Sequence, residues 1–172
     1  MRQKTYIGID PGLSGGIAII DGLGRAEMQC CPMPVCLHGR RRTVDVAVIR
    51  EILAAHADPS STMVIIESAM KFSAGTNALT STWFGFGRLT AMLELERWPH
   101  EIITSPLTWQ KMFWSKPKMP KGTKFDTKSA SIAAAKRLWP DHSFLPTARC
   151  TKPSDGLTDA ALIAEFGRRT SL

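Results

Sequence analysis

Short apolar runs, each closed by turn residues, open the chain. "TYIGID" and "GGIAIID" are two of them, and they predict a pair of strands joined by a turn through Asp10, Pro11 and Gly12. "AEMQCCPMPV" reads as a third, antiparallel strand. In "TVDVAVIREILAAHA" the period changes: Val46, Ile49 and Leu53 fall on one helical face, with Thr43 as its N-cap. "TMVIIES" is apolar without alternation up to Glu67, the pattern of a strand covered on both faces. "TSTWFGFGRLTAMLELERW" predicts a long helix ending before Pro99, and "HEIITS" a further strand. Ser105 and Pro106 suit the N-cap and first position of a short helix over "PLTWQKMFW". "TKSASIAAAKRLWP" and "PSDGLTDAALIAEFGRR" give two more helices, the last turning Leu157, Ala161 and Ala164 inward.

A strand meander followed by alternating strands and helices predicts an α/β domain with a mixed sheet flanked by helices. The 172 residues suit one domain over 1–172, large enough to bury roughly 70% of its unfolded surface. The Lys/Pro/Gly stretch around 115–128 has no apolar period and is expected to be a mobile basic loop. Inside the long helix, Gly85 and Gly87 cost about 1 kcal/mol each relative to Ala; close approach of a second helix or of DNA would account for them. Trp83, Phe84 and Phe86 read as core.

Charge narrows the choice of partner. The net charge is +7, and the excess is uneven. Arg40, Arg41 and Arg42 are consecutive, and Lys116, Lys118, Lys121, Lys124 and Lys128 crowd one proline-rich stretch. Such clusters attract polyanions through phosphate contacts and counterion release, so nucleic acid is the expected partner. No apolar run approaches the ~20 residues of a membrane span, and "MRQKTYIGID" lacks a secretory pattern. A cytosolic protein is therefore expected, with Cys30, Cys31, Cys36 and Cys150 as reduced thiols. "CCPMPVCLH" brings three thiols close to His38, but without the paired knuckles of a structural zinc site.

Four acids stand where chemistry could use them. Asp10 and Glu67 close apolar strands, and Asp155 and Asp159 lie four residues apart on the last helix, one above the other. Each has an ordinary explanation alone: turn residue, strand end, helix N-terminus. Together they form an acidic set from two strand ends and a helix, which is what hard divalent cations such as Mg²⁺ require. Two such ions, ~3.5–4 Å apart, activate water and stabilise the leaving oxygen of a phosphodiester. The four scattered histidines suggest no Ser-His-Asp arrangement. His142 is the one nearest the final acidic segment and reads as a loop residue.

The ordered set "GIDPGLSGG", "VIIES", a basic region and "DGLTDAALIA" resembles the RuvC-type Holliday junction resolvases of the RNase H-like fold, over nearly the whole chain. The resemblance implies a homodimeric endonuclease that resolves four-way DNA junctions by paired nicks with Mg²⁺, or Mn²⁺ in its place. It also implies that Asp10, Glu67 and Asp159 are the metal-binding acids. The family's fourth acid stands three residues before the last, where this chain has Gly156; the carboxylate present is Asp155, taken here as the fourth catalytic and metal-binding acid. Lys111 and Lys128 fall near family lysines that contact scissile DNA, and Lys128 is placed with the catalytic set. Met70 and Phe72 sit where such enzymes present apolar side chains to the crossover. A flap or branched-DNA endonuclease of the same fold is the nearest alternative. An actin-like phosphotransferase would need a second glycine-rich phosphate turn, and a non-catalytic DNA-binding module would leave the acids facing phosphates without a cation.

Overall fold

The computed structural model describes residues 4–23, 28–69, 76–120 and 122–170. A five-stranded sheet forms the middle layer. Its strands are β1 (Thr5–Asp10), β2 (Gly16–Asp21), β3 (Gln29–Pro32), β6 (Thr62–Glu67) and β7 (His100–Ile103), in the order β3-β2-β1-β6-β7. Strands β2 and β3 continue the antiparallel meander from β1, whereas β6 and β7 run parallel to it. The mixed sheet flanked by helices is the architecture expected from the sequence.

Period-two alternation divides the core. Tyr6, Ala18, Ile20 and Ile65 face one side, under α3 (Pro106–Phe113), α4 (Thr127–Leu138) and α5 (Asp155–Thr170). Ile7, Ile9, Ile17, Val64 and Ile66 face the other, under α1 (Val46–His56) and α2 (Thr76–Leu95). Both faces are covered, which is why "MVII" carries no polar residue.

Helix α5 lies directly on the sheet. It is buried almost all round, from Gly156 to Gly167 apart from Asp159. A Cβ on Gly8 of β1 would stand 2.1 Å from the Ala160 carbonyl oxygen, and one on Gly167 would stand 2.3 Å from Ile65 Cδ1. Helix and strand therefore touch backbone to backbone at Gly8, and Gly167 leaves room for the Ile65 side chain. Glu165, buried on α5, is offset by Arg168 and Arg169, with N···O distances of 2.7 and 2.6 Å.

The sequence reading differs in three places. Thr43 does not cap α1: it lies buried in β5 (Arg41–Val44), and Asp45 caps instead, its Oδ1 accepting from Ala47 N at 3.2 Å and Val48 N at 3.4 Å. The segment that carries Arg40, Arg41 and Arg42, for which no strand was expected, is a hairpin, in which β5 pairs antiparallel with β4 (Val35–His38). Gly39 turns it at φ +62°, the left-handed conformation a two-residue hairpin turn demands. Phe86 is core, but Trp83 and Phe84 are 40% and 42% exposed. Phe84 meets His38 of the hairpin at 5.3 Å between ring centroids, with Arg88 over its ring. Gly85 packs against Val44 of β5, whereas nothing stands within 4 Å of a Cβ added to Gly87.

Candidate active site

The two strand-end acids are neighbours by register. Ile9 pairs with Ile66 across the parallel β1–β6 ladder, so Asp10 and Glu67 leave the same edge of the sheet side by side. After Asp10 the chain turns back tightly: Gly12 N donates to Asp10 Oδ1 at 3.1 Å and Gly15 N donates to the Gly12 carbonyl at 2.9 Å. A Cβ on Gly15 would stand 2.2 Å from the Asp10 carbonyl oxygen, so this turn needs glycine there. The start of α5 then packs on the turn, with Gly156 against Ser14 and Gly15. That contact brings Asp155 and Asp159 to the strand ends.

All four acids line one open cleft of about 380 Å³, together with Lys128 and residues from the start of α2. Each of the three inner carboxylates has one oxygen committed to the protein. Asp10 accepts from Gly12 N, Glu67 Oε2 accepts from the Trp109 indole N–H at 2.9 Å, and Asp159 Oδ1 accepts a short hydrogen bond from Ser131 Oγ. Among the described residues the second oxygen of each makes no hydrogen bond.

Their environment disfavours ionisation. Burial raises the Asp10 pKa, and the Asp155 charge adds to the rise against the lowering effect of Gly12 N–H. Burial pushes Glu67 up to about 7 despite its bond from Trp109, with Asp10 reinforcing it. Asp159 likewise rises to about 7 through burial, Ser131 opposing and the other three acids reinforcing. Three mutually repelling, partly desolvated carboxylates are left undercompensated.

Asp155 is different. Its Oδ2 lies 2.7 Å from Lys128 Nζ, in a pair whose side chains are 37% and 74% exposed. Exposure limits such a pair to roughly 0–1 kcal/mol. The Lys128 pKa rises through this hydrogen bond, so its ammonium stays charged, and its charge is felt by Asp10 and Asp159. Among the described residues no three His, Cys, Asp or Glu side chains are drawn together as a ready-made metal cage. The donor set itself fits a hard divalent cation: oxygen ligands, undercompensated charge and a free oxygen on each inner acid.

No protein-family model matches the chain, and no curated protein matches it by sequence. Solved structures do. Thermus thermophilus RuvC in complex with a Holliday junction substrate superposes with a TM-score of 0.58 at 15% identity, covering 97% of this chain and 96% of that one. A second Thermus thermophilus RuvC structure gives 0.57 at 16% identity over the same shares. This is the RuvC fold.

On the RuvC fold the remaining residues singled out in the sequence fall in several places. Lys128 is at the cleft. Lys111 and Lys116 line a separate hollow beside Trp114, and Lys118 and Lys124 are exposed on the segment between α3 and α4. Arg40, Arg41 and Arg42 are exposed on the β4–β5 hairpin, which packs along α2, the helix whose start borders the cleft. Met70, Phe72 and Lys121 lie outside the described residues. His142 does not line the cleft; its Nδ1 accepts from Phe144 N at 3.1 Å and its Nε2 lies 3.6 Å from Cys30 Sγ. Among the described residues no helix is long and apolar enough to cross a membrane.

Two participants were not foreseen. Ser131 is a hydroxyl on the otherwise alanine-lined buried face of α4, beside Ala134 and Ala135, and that polar interruption was a readable signal. Trp109 is fully buried on α3, and nothing in "PLTWQKMF" marks it as a partner of Glu67.

Proposed function

We propose that the chain is a divalent-cation-dependent endonuclease that cuts four-way DNA junctions by paired nicks. The observation that carries this reading is the cleft where Asp10, Glu67 and Asp159 converge beside Lys128, on a fold shared with a RuvC whose structure contains a Holliday junction substrate.

The inner acids would hold Mg²⁺, or Mn²⁺ in its place, which supplies a polarised phosphoryl oxygen and water acidic enough to attack near neutral pH. Gly12 N–H, Trp109 and Ser131 orient the three carboxylates, leaving their second oxygens toward the cleft. Lys128 keeps a permanent positive charge at the cleft, where a scissile phosphate would gain negative charge as the water–phosphorus bond forms and the phosphorus–sugar oxygen bond breaks. Basic side chains on the hairpin and the α3–α4 segment neutralise phosphates away from the cut. Two copies would match the two-fold symmetry of a junction and its two cuts. Trp83 and Phe84 give α2 an exposed apolar surface for that association.

A nicking assay across four-way junction, three-way junction, flap and linear duplex tests the substrate. Preferred paired cutting of the four-way junction with Mg²⁺ supports the reading, and preferred cutting of the flap replaces it with a flap endonuclease.

A further inference from the structure

The sequence leads one to expect four carboxylates shared between two ions. The structure distributes them differently. Three each have one oxygen held by the protein and, among the described residues, one that makes no hydrogen bond, whereas the fourth is already matched by Lys128 at 2.7 Å. The position three residues before Asp159 cannot supply a replacement. A Cβ on Gly156 would stand 2.2 Å from the Ser14 carbonyl oxygen and 2.6 Å from Gly15 Cα, both backbone atoms of the turn that positions Asp10. A carboxylate there would have to displace that turn.

Resting on the nuclease reading above, we infer that Asp155 serves Lys128 and not the ion: the cleft takes one divalent cation on Asp10, Glu67 and Asp159, and the Lys128 ammonium, held by Asp155, is the second positive charge beside it. Several features agree. Lys128 lines the same cleft as the inner acids, and its field reaches Asp10 and Asp159. Lys128 opens α4, whose Asp126 cap fixes the first turn by accepting from Lys128 N and Ser129 N, both at 3.1 Å. Ser131, one turn along the same helix, holds Asp159. One helix thus brings both the lysine and the hydroxyl to the acids. Asp155 is in this view a positioning residue, since it acts through Lys128.

The test counts ions on the full-length chain without DNA. Mn²⁺ is titrated at pH 8 and followed by electron paramagnetic resonance, for wild type, Asp155→Asn, Lys128→Gln and Asp159→Asn. One Mn²⁺ per chain is expected in the wild type. Asp155→Asn should keep it with affinity within about threefold, whereas Asp159→Asn should lose about tenfold or more. Lys128→Gln should bind more tightly or take a second ion, because it frees Asp155 and removes a competing charge. With saturating metal, nicking by Asp155→Asn and Lys128→Gln should fall, and the double variant should fall no further than the worse single one.

Two ions on the wild type, one of them lost in Asp155→Asn, would overturn the inference and leave the nuclease reading standing. No ion on the wild type, with Asp159→Asn indistinguishable from it, would remove both.

Discussion

The indole N–H of Trp109 donates to Oε2 of Glu67 at 2.9 Å, joining a fully buried helix residue to an acid at the end of the neighbouring strand. This bond favours the charged carboxylate and works against the burial that lifts Glu67 to about 7. Trp109→Phe should therefore raise the Glu67 pKa further. The pH midpoint of Mn²⁺ binding and of metal-dependent nicking should move to higher pH, and alkaline buffer should restore much of the loss. An unchanged midpoint would show that the bond does not tune the acid.

Gly156 and Gly87 make opposite cases on two helices. Gly156→Asp, which restores the three-residue spacing of carboxylates, should destabilise the protein by about 1–3 kcal/mol, because the new side chain meets backbone on Ser14 and Gly15. Gly87→Ala places a methyl in open space on α2 and should stabilise the protomer by about 0.4–1 kcal/mol. Chemical denaturation of both variants checks the pair.

The raised acids give the metal-free protein an unusual pH dependence. Between the ordinary carboxylate range and pH 7, folded Glu67 and Asp159 retain protons that the unfolded chain has lost. Stability from these groups is therefore highest at acidic pH and declines as pH rises through about 7, by up to about 1.4 kcal/mol per proton per pH unit. Mn²⁺ or Mg²⁺ should reverse the decline above pH 7, since it binds only the deprotonated carboxylates. Thermal melts at pH 5.5 and pH 8, with and without metal, provide the check. Asp159→Asn should flatten the metal-free profile.

Replacing Arg40, Arg41 and Arg42 by Glu should leave the fold intact, because all three are exposed on the hairpin. Junction affinity should fall. The slope of log affinity against log salt should flatten by about 0.9 for each phosphate that the hairpin no longer neutralises. An unaltered slope would make the cluster a solvated surface.

Much of the frame was legible because burial writes itself into period. "MVII" announced a strand covered twice, and the glycine-rich turn after Asp10 announced a reversal. Asp10 and Glu67 stood out as candidates for a related reason: a carboxylate closing an apolar run is costly without a task. The hairpin β4–β5 was not legible, since three arginines and Gly39 hide the alternation that pairs it. Thr43 lost the cap to Asp45 by two residues, a boundary that only the strand pairing decides. The bond from Trp109 to Glu67 and the pairing of Asp155 with Lys128 span 42 and 27 positions, distances no local pattern encodes.

The most direct measurement is a nicking assay on a synthetic immobile four-way junction, with junction binding followed in parallel, for the wild type beside Asp10→Asn and Glu67→Gln. The expected result is Mg²⁺-dependent paired nicks by the wild type, and no cleavage but undiminished binding by either variant. Cleavage by the variants at the wild-type rate, or by the wild type without any divalent cation, would contradict a metal held between these acids.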